Sequence, residues 1–129
     1  MATDDSNDVF AFWRYHKQCR IQNRLELASD GEDVVTYLAS SRQTHPLPVL
    51  LVVSLKMARM GGLQVLEHLM ASCQRGFSTV LLVDTEDHDA TLAATASRLG
   101  VELFLMRPIQ KEQFCNLMSQ FHAVQMDVS

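Results

Sequence analysis

The stretch Val49-Leu50-Leu51-Val52-Val53, together with its counterpart Thr79-Val80-Leu81-Leu82-Val83, decides the fold class. Both runs are β-branched or aliphatic and nearly continuous in apolar character, as strands covered on both faces are; a strand with one wet face would alternate. A weaker third run is Glu102 to Met106. Between and after these runs, apolar residues recur at helical spacing: Leu63, Leu66, Leu69 and Met70, then Leu92, Ala96 and Leu99, then Phe114, Leu117, Met118 and Phe121. Upstream, Val9, Phe12, Trp13 and His16 share a helical face that Ser6 or Asp5 is placed to cap. Arg24 to Ala28 reads as a strand, Asp30-Gly31 as a turn, and Val34, Val35 and Leu38 as the inner face of another helix. The resulting order, α-β-α-β-α-β-α-β-α, predicts an α/β fold: a doubly wound, mostly parallel sheet with right-handed crossovers and helices on both faces. In such folds ligands gather at the carboxyl ends of the strands.

A chain of 129 residues is enough for one core, and one domain spanning 1–129 is expected, with no output domain after residue 124. At 47% hydrophobic and 20% charged residues the composition is that of a folded protein. The formal charge of -4, with Lys and Arg scattered, leaves no footprint for a phosphate backbone, so nucleic acid is not an expected partner. Cys19, Cys73 and Cys115 are odd in number and far apart, which suggests neither a disulfide framework nor a zinc site and fits a reducing cytoplasm. No apolar run reaches the ~20 residues of a membrane span, and the acidic start is unlike a signal peptide. Pro46, Pro48 and Pro108 fall at expected element boundaries.

Several short segments, in order and in register, carry a resemblance. Asp4-Asp5-Ser6-Asn7-Asp8-Val9-Phe10 is similar to an acidic pair followed by a D-V-F helix start; Ala28-Ser29-Asp30-Gly31-Glu32-Asp33 to an A-x-D-G-x-E turn; and Ser54-Leu55-Lys56-Met57-Ala58-Arg59-Met60-Gly61-Gly62-Leu63 to D-L-x-M-P-x-M-D-G-L. Thr85 follows the fourth strand, Phe104 lies in the fifth, and Arg107-Pro108 stands where Lys-Pro would. Over nearly its whole length the chain resembles the receiver domain of response regulators, the flavodoxin-like domain of two-component signalling. The resemblance implies a cytoplasmic module that acts in a phosphorelay and binds proteins through its fourth helix, fifth strand and fifth helix.

The departures bear on function. The receiver reaction transfers a phosphoryl group to an aspartate with the help of Mg²⁺ and a lysine, and Ser54 occupies that aspartate's place. A hydroxyl cannot form the acyl phosphate, and its presence removes a carboxylate ligand from a hard cation. Arg107 for lysine exchanges a point charge for a planar fork, which is expected to pair with Asp4 or Asp5. Phe104 lacks a switch tyrosine's hydroxyl; Ala58 and Gly61 replace Pro and Asp, which would loosen their loop. The degenerate phosphorylation site is therefore Ser54, Thr85 and Arg107, with Asp4 and Asp5 as a remnant acidic pair and Phe104 as the switch aromatic. No cofactor is expected; residual Mg²⁺ on Asp4, Asp5 and the Lys56 backbone is the weaker alternative, since an acidic pair ahead of a helix also serves as a cap.

Only Met1, Ala2 and Thr3 precede the acidic pair, where the family has a full strand, so the first strand is expected to be absent or displaced. That strand is central in the family order, and losing it would strand backbone groups on both neighbours. Direct pairing of those neighbours, a rebuilt sheet, a homodimer filling the gap, or loss of the strand from a longer parent are the four outcomes, with dimerisation favoured.

The expected activity is that of a stand-alone pseudo-receiver, not an enzyme. It would bind a histidine kinase, another regulator or itself. An alternative from another class is Mg²⁺-dependent phosphoryl transfer through a relocated aspartate, Asp84 with Asp4 and Asp5. Against it, alternation along the strand points Asp84 away from the pocket of Thr85. The histidines show no ligand spacing, His16 reads as packed, and the methionines read as core or loop packing, with Met57 and Met60 as a possible partner surface. Nothing resembles a phosphate-cradling glycine loop.

Overall fold

The computed structural model describes residues 1–44, 50–57, 59–71, 77–121 and 124. Val49, Ala58, Cys73 and the boundary prolines Pro46 and Pro48 lie outside the described residues. Three parallel strands, β1 (Leu50–Ser54), β2 (Ser78–Asp84) and β3 (Leu103–Arg107), are ordered β1-β2-β3 with Val52 opposite Val80 and Leu82 opposite Leu105. Their middles are buried on both faces, which is why the sequence runs are apolar without alternation.

Two apolar clusters fill the two faces of the sheet. On one, Phe12 of α1 (Ser6–Gln18) and Phe114, Leu117 and Met118 of α5 (Lys111–Ser119) cover Val52, Val80, Leu82 and Leu105. Phe12 and Phe114 meet edge to face with centroids 4.8 Å apart. On the other face, Val34 and Leu38 of α2 (Gly31–Thr44), Val65 and Leu69 of α3 (Gly62–Ala71) and Ala96 of α4 (Ala90–Arg98) cover Leu51, Val53, Leu81 and Val83. The 3-10 turn Thr85–Asp87 lies between β2 and α4. The architecture is the doubly wound α/β receiver type the sequence predicts.

Several particulars differ from expectation. Arg24 to Ala28 does not form a strand; only Ala28 makes a bridge, to Ala2. The first strand is not a five-residue element, as anticipated, yet its central place is not vacant, because Met1–Thr3 form a stub there. Ala2 bridges Ala28 on one side and Val53 on the other, both in parallel. Ala2 N–H donates to Val52 O at 2.8 Å, Ser54 N–H to Ala2 O at 2.9 Å, and Thr3 N–H to Ala28 O at 3.1 Å. The stub satisfies the backbone at the site end of the sheet, where an orphaned amide would cost most. Trp13 and Met70 are 43% and 46% exposed and do not belong to either core cluster.

Cys19 and Cys115 are joined as a disulfide with Cα atoms 5.9 Å apart, linking the end of α1 to α5 across 96 residues of sequence. This corrects the sequence expectation: distance in sequence says nothing of distance in space, and α1 and α5 share one face of the sheet.

Candidate functional site

The site lies at the carboxyl ends of the strands, where β1 ends in Ser54, β2 in Asp84 and β3 in Arg107, with α1 beginning alongside. In-register parallel pairing places Asp84 opposite Arg107 on neighbouring strands. The stub then delivers Thr3 and the start of α1 to the same end of the sheet. Asp5 caps α1, its carboxylate accepting from Asn7 N–H at 2.9 Å. One turn later comes Asp8, whose side chain is almost fully buried.

Asp8 is the residue that sequence reasoning missed. Thr3 Oγ1 donates to Asp8 Oδ2 at 2.8 Å. The Arg107 guanidinium reaches Asp8 through Nε, at 3.0 Å to each oxygen, and through Nη2, at 2.7 Å to Oδ2. The same Nη2 donates to Ser54 Oγ at 2.6 Å, and Nη1 lies 3.5 Å from Asp84 Oδ1. Ser54 Oγ in turn donates to Lys56 O at 3.0 Å. A planar fork can address one carboxylate along its edge while a further N–H reaches a hydroxyl, which a lysine ammonium could not do in the same geometry. The expected pairing of Arg107 with Asp4 or Asp5 is thus replaced by pairing with Asp8 and Asp84: a helical turn carries Asp8, not its predecessors, to the strand ends. The signal available in the sequence was Asp8 itself, an acid on the apolar side of α1, three residues beyond the N-cap.

Burial works against the charge of Arg107, but the hydrogen bond and the charge of Asp8, with Asp84 and Asp5 behind them, outweigh it and hold the guanidinium above its ordinary pKa. The cation is therefore permanent at any physiological pH.

The other predicted residues are only partly brought together. Thr85 Oγ1 lies 3.5 Å from Arg107 O. Asp4 is exposed. Lys56 Nζ reaches Asp87 Oδ2 at 3.1 Å, while Asp84, Glu86 and Asp87 hold carboxylate oxygens within 4.8 Å of one another at the surface. Of the acids of the alternative phosphoryl-transfer reading, Asp5 and Asp84 line one pocket at the strand ends with Asp8, Thr85 and Arg107, so Asp84 is not turned away from Thr85 as strand alternation suggested; Asp5 also caps α1, and Asp84 also lies against Arg107. Phe104 is half-buried and meets His88 edge to face, centroids 4.7 Å apart. His16 is packed as expected, with Nε2 2.6 Å from Asn23 O. Met57 and Met60 pack against the α2 and α3 cluster, and Arg59, in a left-handed conformation, ties their loop to Asp30 at 3.5 Å and Glu32 at 3.3 Å.

No protein-family model matches the chain. Among curated proteins, the chain is 36% identical over 84 residues to the Regulator of RpoS of Escherichia coli K12, an alignment covering 65% of this chain and 23% of that protein. The same identity and coverage hold for the Regulator of RpoS of Shigella flexneri. The chain thus matches about a quarter of the length of these relatives. Among solved structures, the bacteriophytochrome response regulator RtBRR superposes with a TM-score of 0.83 at 20% identity, over 99% of this chain and 79% of that one. The signal receiver domain of a LuxO-type repressor protein from Vibrio parahaemolyticus superposes with a TM-score of 0.78 at 19% identity, over 93% and 85% of the two chains. The fold is that of response-regulator receiver domains.

Proposed function

We propose that this receiver-fold chain is a pseudo-receiver of two-component signalling, a non-enzymatic module that works by binding proteins in a state set by its own side chains and not by phosphorylation. The observation that carries the proposal is the contact of Arg107 with both Asp8 and Ser54. In the resemblance, this is where a phosphorylated aspartate, a cation and a lysine would meet. Here a single internal guanidinium supplies positive charge to the acid and a donor to the hydroxyl. Asp8, with three bonds from Arg107 and one from Thr3, has no comparable capacity left for a hard divalent ion, and Ser54 offers no anionic oxygen. The residues present do not fit Mg²⁺ at this point.

The protein-binding surface is the face carried by α4, β3 and α5, with Phe104 packed on His88. A kinase, another regulator or a second copy are the partner classes. The homodimer anticipated from a vacant strand loses part of its motive, because Met1–Thr3 narrow the gap.

The test is incubation with acetyl phosphate and Mg²⁺ followed by intact mass measurement. The expected spectrum is unchanged, and the Ser54→Asp variant also stays unmodified as long as Arg107 remains to pair with the new carboxylate. A stoichiometric, hydroxylamine-labile phosphoryl adduct on the unaltered chain would refute the proposal and favour the relocated-aspartate alternative.

A further inference from the structure

Helix α1 is fastened at both of its ends to the unit formed by β3 and α5. At the strand ends, Asp8 in its first turn pairs with Arg107, just ahead of α5. At the opposite end Cys19, its C-cap, is bonded to Cys115 in the middle of α5. About 16 Å of helix separates the two fastenings at 1.5 Å per residue. Between them Phe114 meets Phe12 and Tyr15, at ring-centroid distances of 4.8 Å and 5.9 Å.

We propose that the bond between Cys19 and Cys115 is a reversible thiol–disulfide switch that sets how firmly α5 is held against α1. Three observations carry this. Apolar clusters fill both faces of the sheet, so the bond does not stand in for a missing core, its use in small secreted domains. Helix α5 has nine residues, fewer than the ~12–15 at which an isolated helix is even marginal in water, and its N-cap Gln110 makes no side-chain cap bond. It is therefore held by tertiary contacts: the buried Phe114, Leu117 and Met118, and the bond at Cys115. Opening the bond leaves the apolar contacts, so the reduced chain stays folded with α5 less firmly docked. Finally, Cys19 is buried whereas Cys115 is half-buried, so an incoming thiol reaches the Cys115 sulfur first.

The reductant class is a low-molecular-weight thiol such as glutathione. Its thiolate attacks the Cys115 sulfur and the S–S bond breaks; the electron pair leaves on the Cys19 sulfur, which takes up a proton, and Cys115 carries a mixed disulfide. A second thiolate attacks the small thiol's sulfur, releasing Cys115, which is protonated in turn. One protein disulfide and two small thiols thus become two protein thiols and one small disulfide, and that small disulfide is the oxidant of the reverse reaction. The consequence falls on α5, which with α4 and β3 forms the protein-binding face. That link to partner binding rests on the reading above, whereas the switch itself does not.

Hydrogen exchange on the full chain in glutathione buffers of rising thiol-to-disulfide ratio tests this, with alkylation and peptide mapping to follow the bond. The bond is expected to open without unfolding and to close when the ratio is reversed. On reduction, the exchange rate of the Phe114 to Met118 amides relative to those of β2 should rise ~10-fold or more, because a looser α5 opens locally while a weaker fold raises both alike. Cys19→Ser and Cys115→Ser should each behave as the reduced chain in every buffer. An unchanged ratio of α5 to β2 exchange would make the bond a general staple of the fold and overturn the proposal. A bond that glutathione opens only once the chain is unfolded would overturn it equally. Neither result bears on phosphorylation by acetyl phosphate, so failure of the switch leaves the pseudo-receiver reading standing.

Discussion

Replacing Arg107 by methionine keeps the stem that packs beneath the site but removes every donor from Asp8 except the Thr3 hydroxyl among the contacts described. The Asp8 side chain is 5% exposed and that of Arg107 16%, so the pair is largely out of water. Breaking a buried pair by deleting one partner costs about 3–5 kcal/mol, and the lower end applies where one side of the site is open, as it is at Asp84. With an unfolding entropy of ~2.1 cal/mol/K per residue, a loss of ~3 kcal/mol over this chain lowers Tm by about 11 °C. Asp8→Asn alone should cost less, about 2 kcal/mol, because Arg107 keeps Asp84 and some water. In the double variant neither charge is left alone, so the two losses must not add; a coupling of about 2–3 kcal/mol is expected. Urea denaturation followed by far-UV circular dichroism measures all three proteins. Losses that add to within ~0.5 kcal/mol would show that Asp8 and Arg107 stabilise the fold independently, and the assignment of Arg107 as the internal counter-ion would fail.

The remaining predictions concern other parts of the molecule. The Met1 ammonium has a pKa of about 6 in the fold against 8.0 in a free chain, so the unfolded state binds more protons between those values and stability should rise with pH across that window. The full change is at most about 2.7 kcal/mol; melting curves from pH 5.5 to 8.5 (about the window bounded by those pKa values) would reveal it, and an acetylated amino terminus should flatten the slope. Cys115→Ala should lower stability by about 2–4 kcal/mol in oxidising buffer, and adding a reductant should affect the unaltered protein but not the variant; equal sensitivity of both to reductant would contradict the link to Cys19. Gly31→Ala drives a methyl group into the backbone oxygen and Cβ of Met60 and should cost about 1–3 kcal/mol, read by denaturant midpoint, while the open surroundings of Gly100 make its positive φ of 88° the only obstacle there.

How much of this was legible beforehand depends on the range of the interaction concerned. The buried strands and the helical stripes were written in local periodicity, because a residue's face follows from its place in a repeat of 2 or 3.6. Asp5 as a cap was readable for the same reason: a cap bonds within its own first turn. Ser54 and Arg107 stood out only against the family pattern, and their partner did not, since nothing local links Asp8 to a residue 99 positions later. The disulfide was hidden in the same way, as two cysteines 96 apart become neighbours only when α1 and α5 settle on one face.

Taken alone, then, the sequence determined an α/β chain with apolar parallel strands, no basic footprint and a hydroxyl at the decisive strand end, all consequences of side-chain chemistry and short-range spacing. Tertiary structure decided which acid neutralises Arg107, that Ala2 bridges Ala28 on one side and Val53 on the other, and that a mainly apolar cavity lies beside Met1. Those are outcomes of where strand ends, helix turns and backbone edges converge in space, and convergence is a property of the packed sheet that no single segment carries.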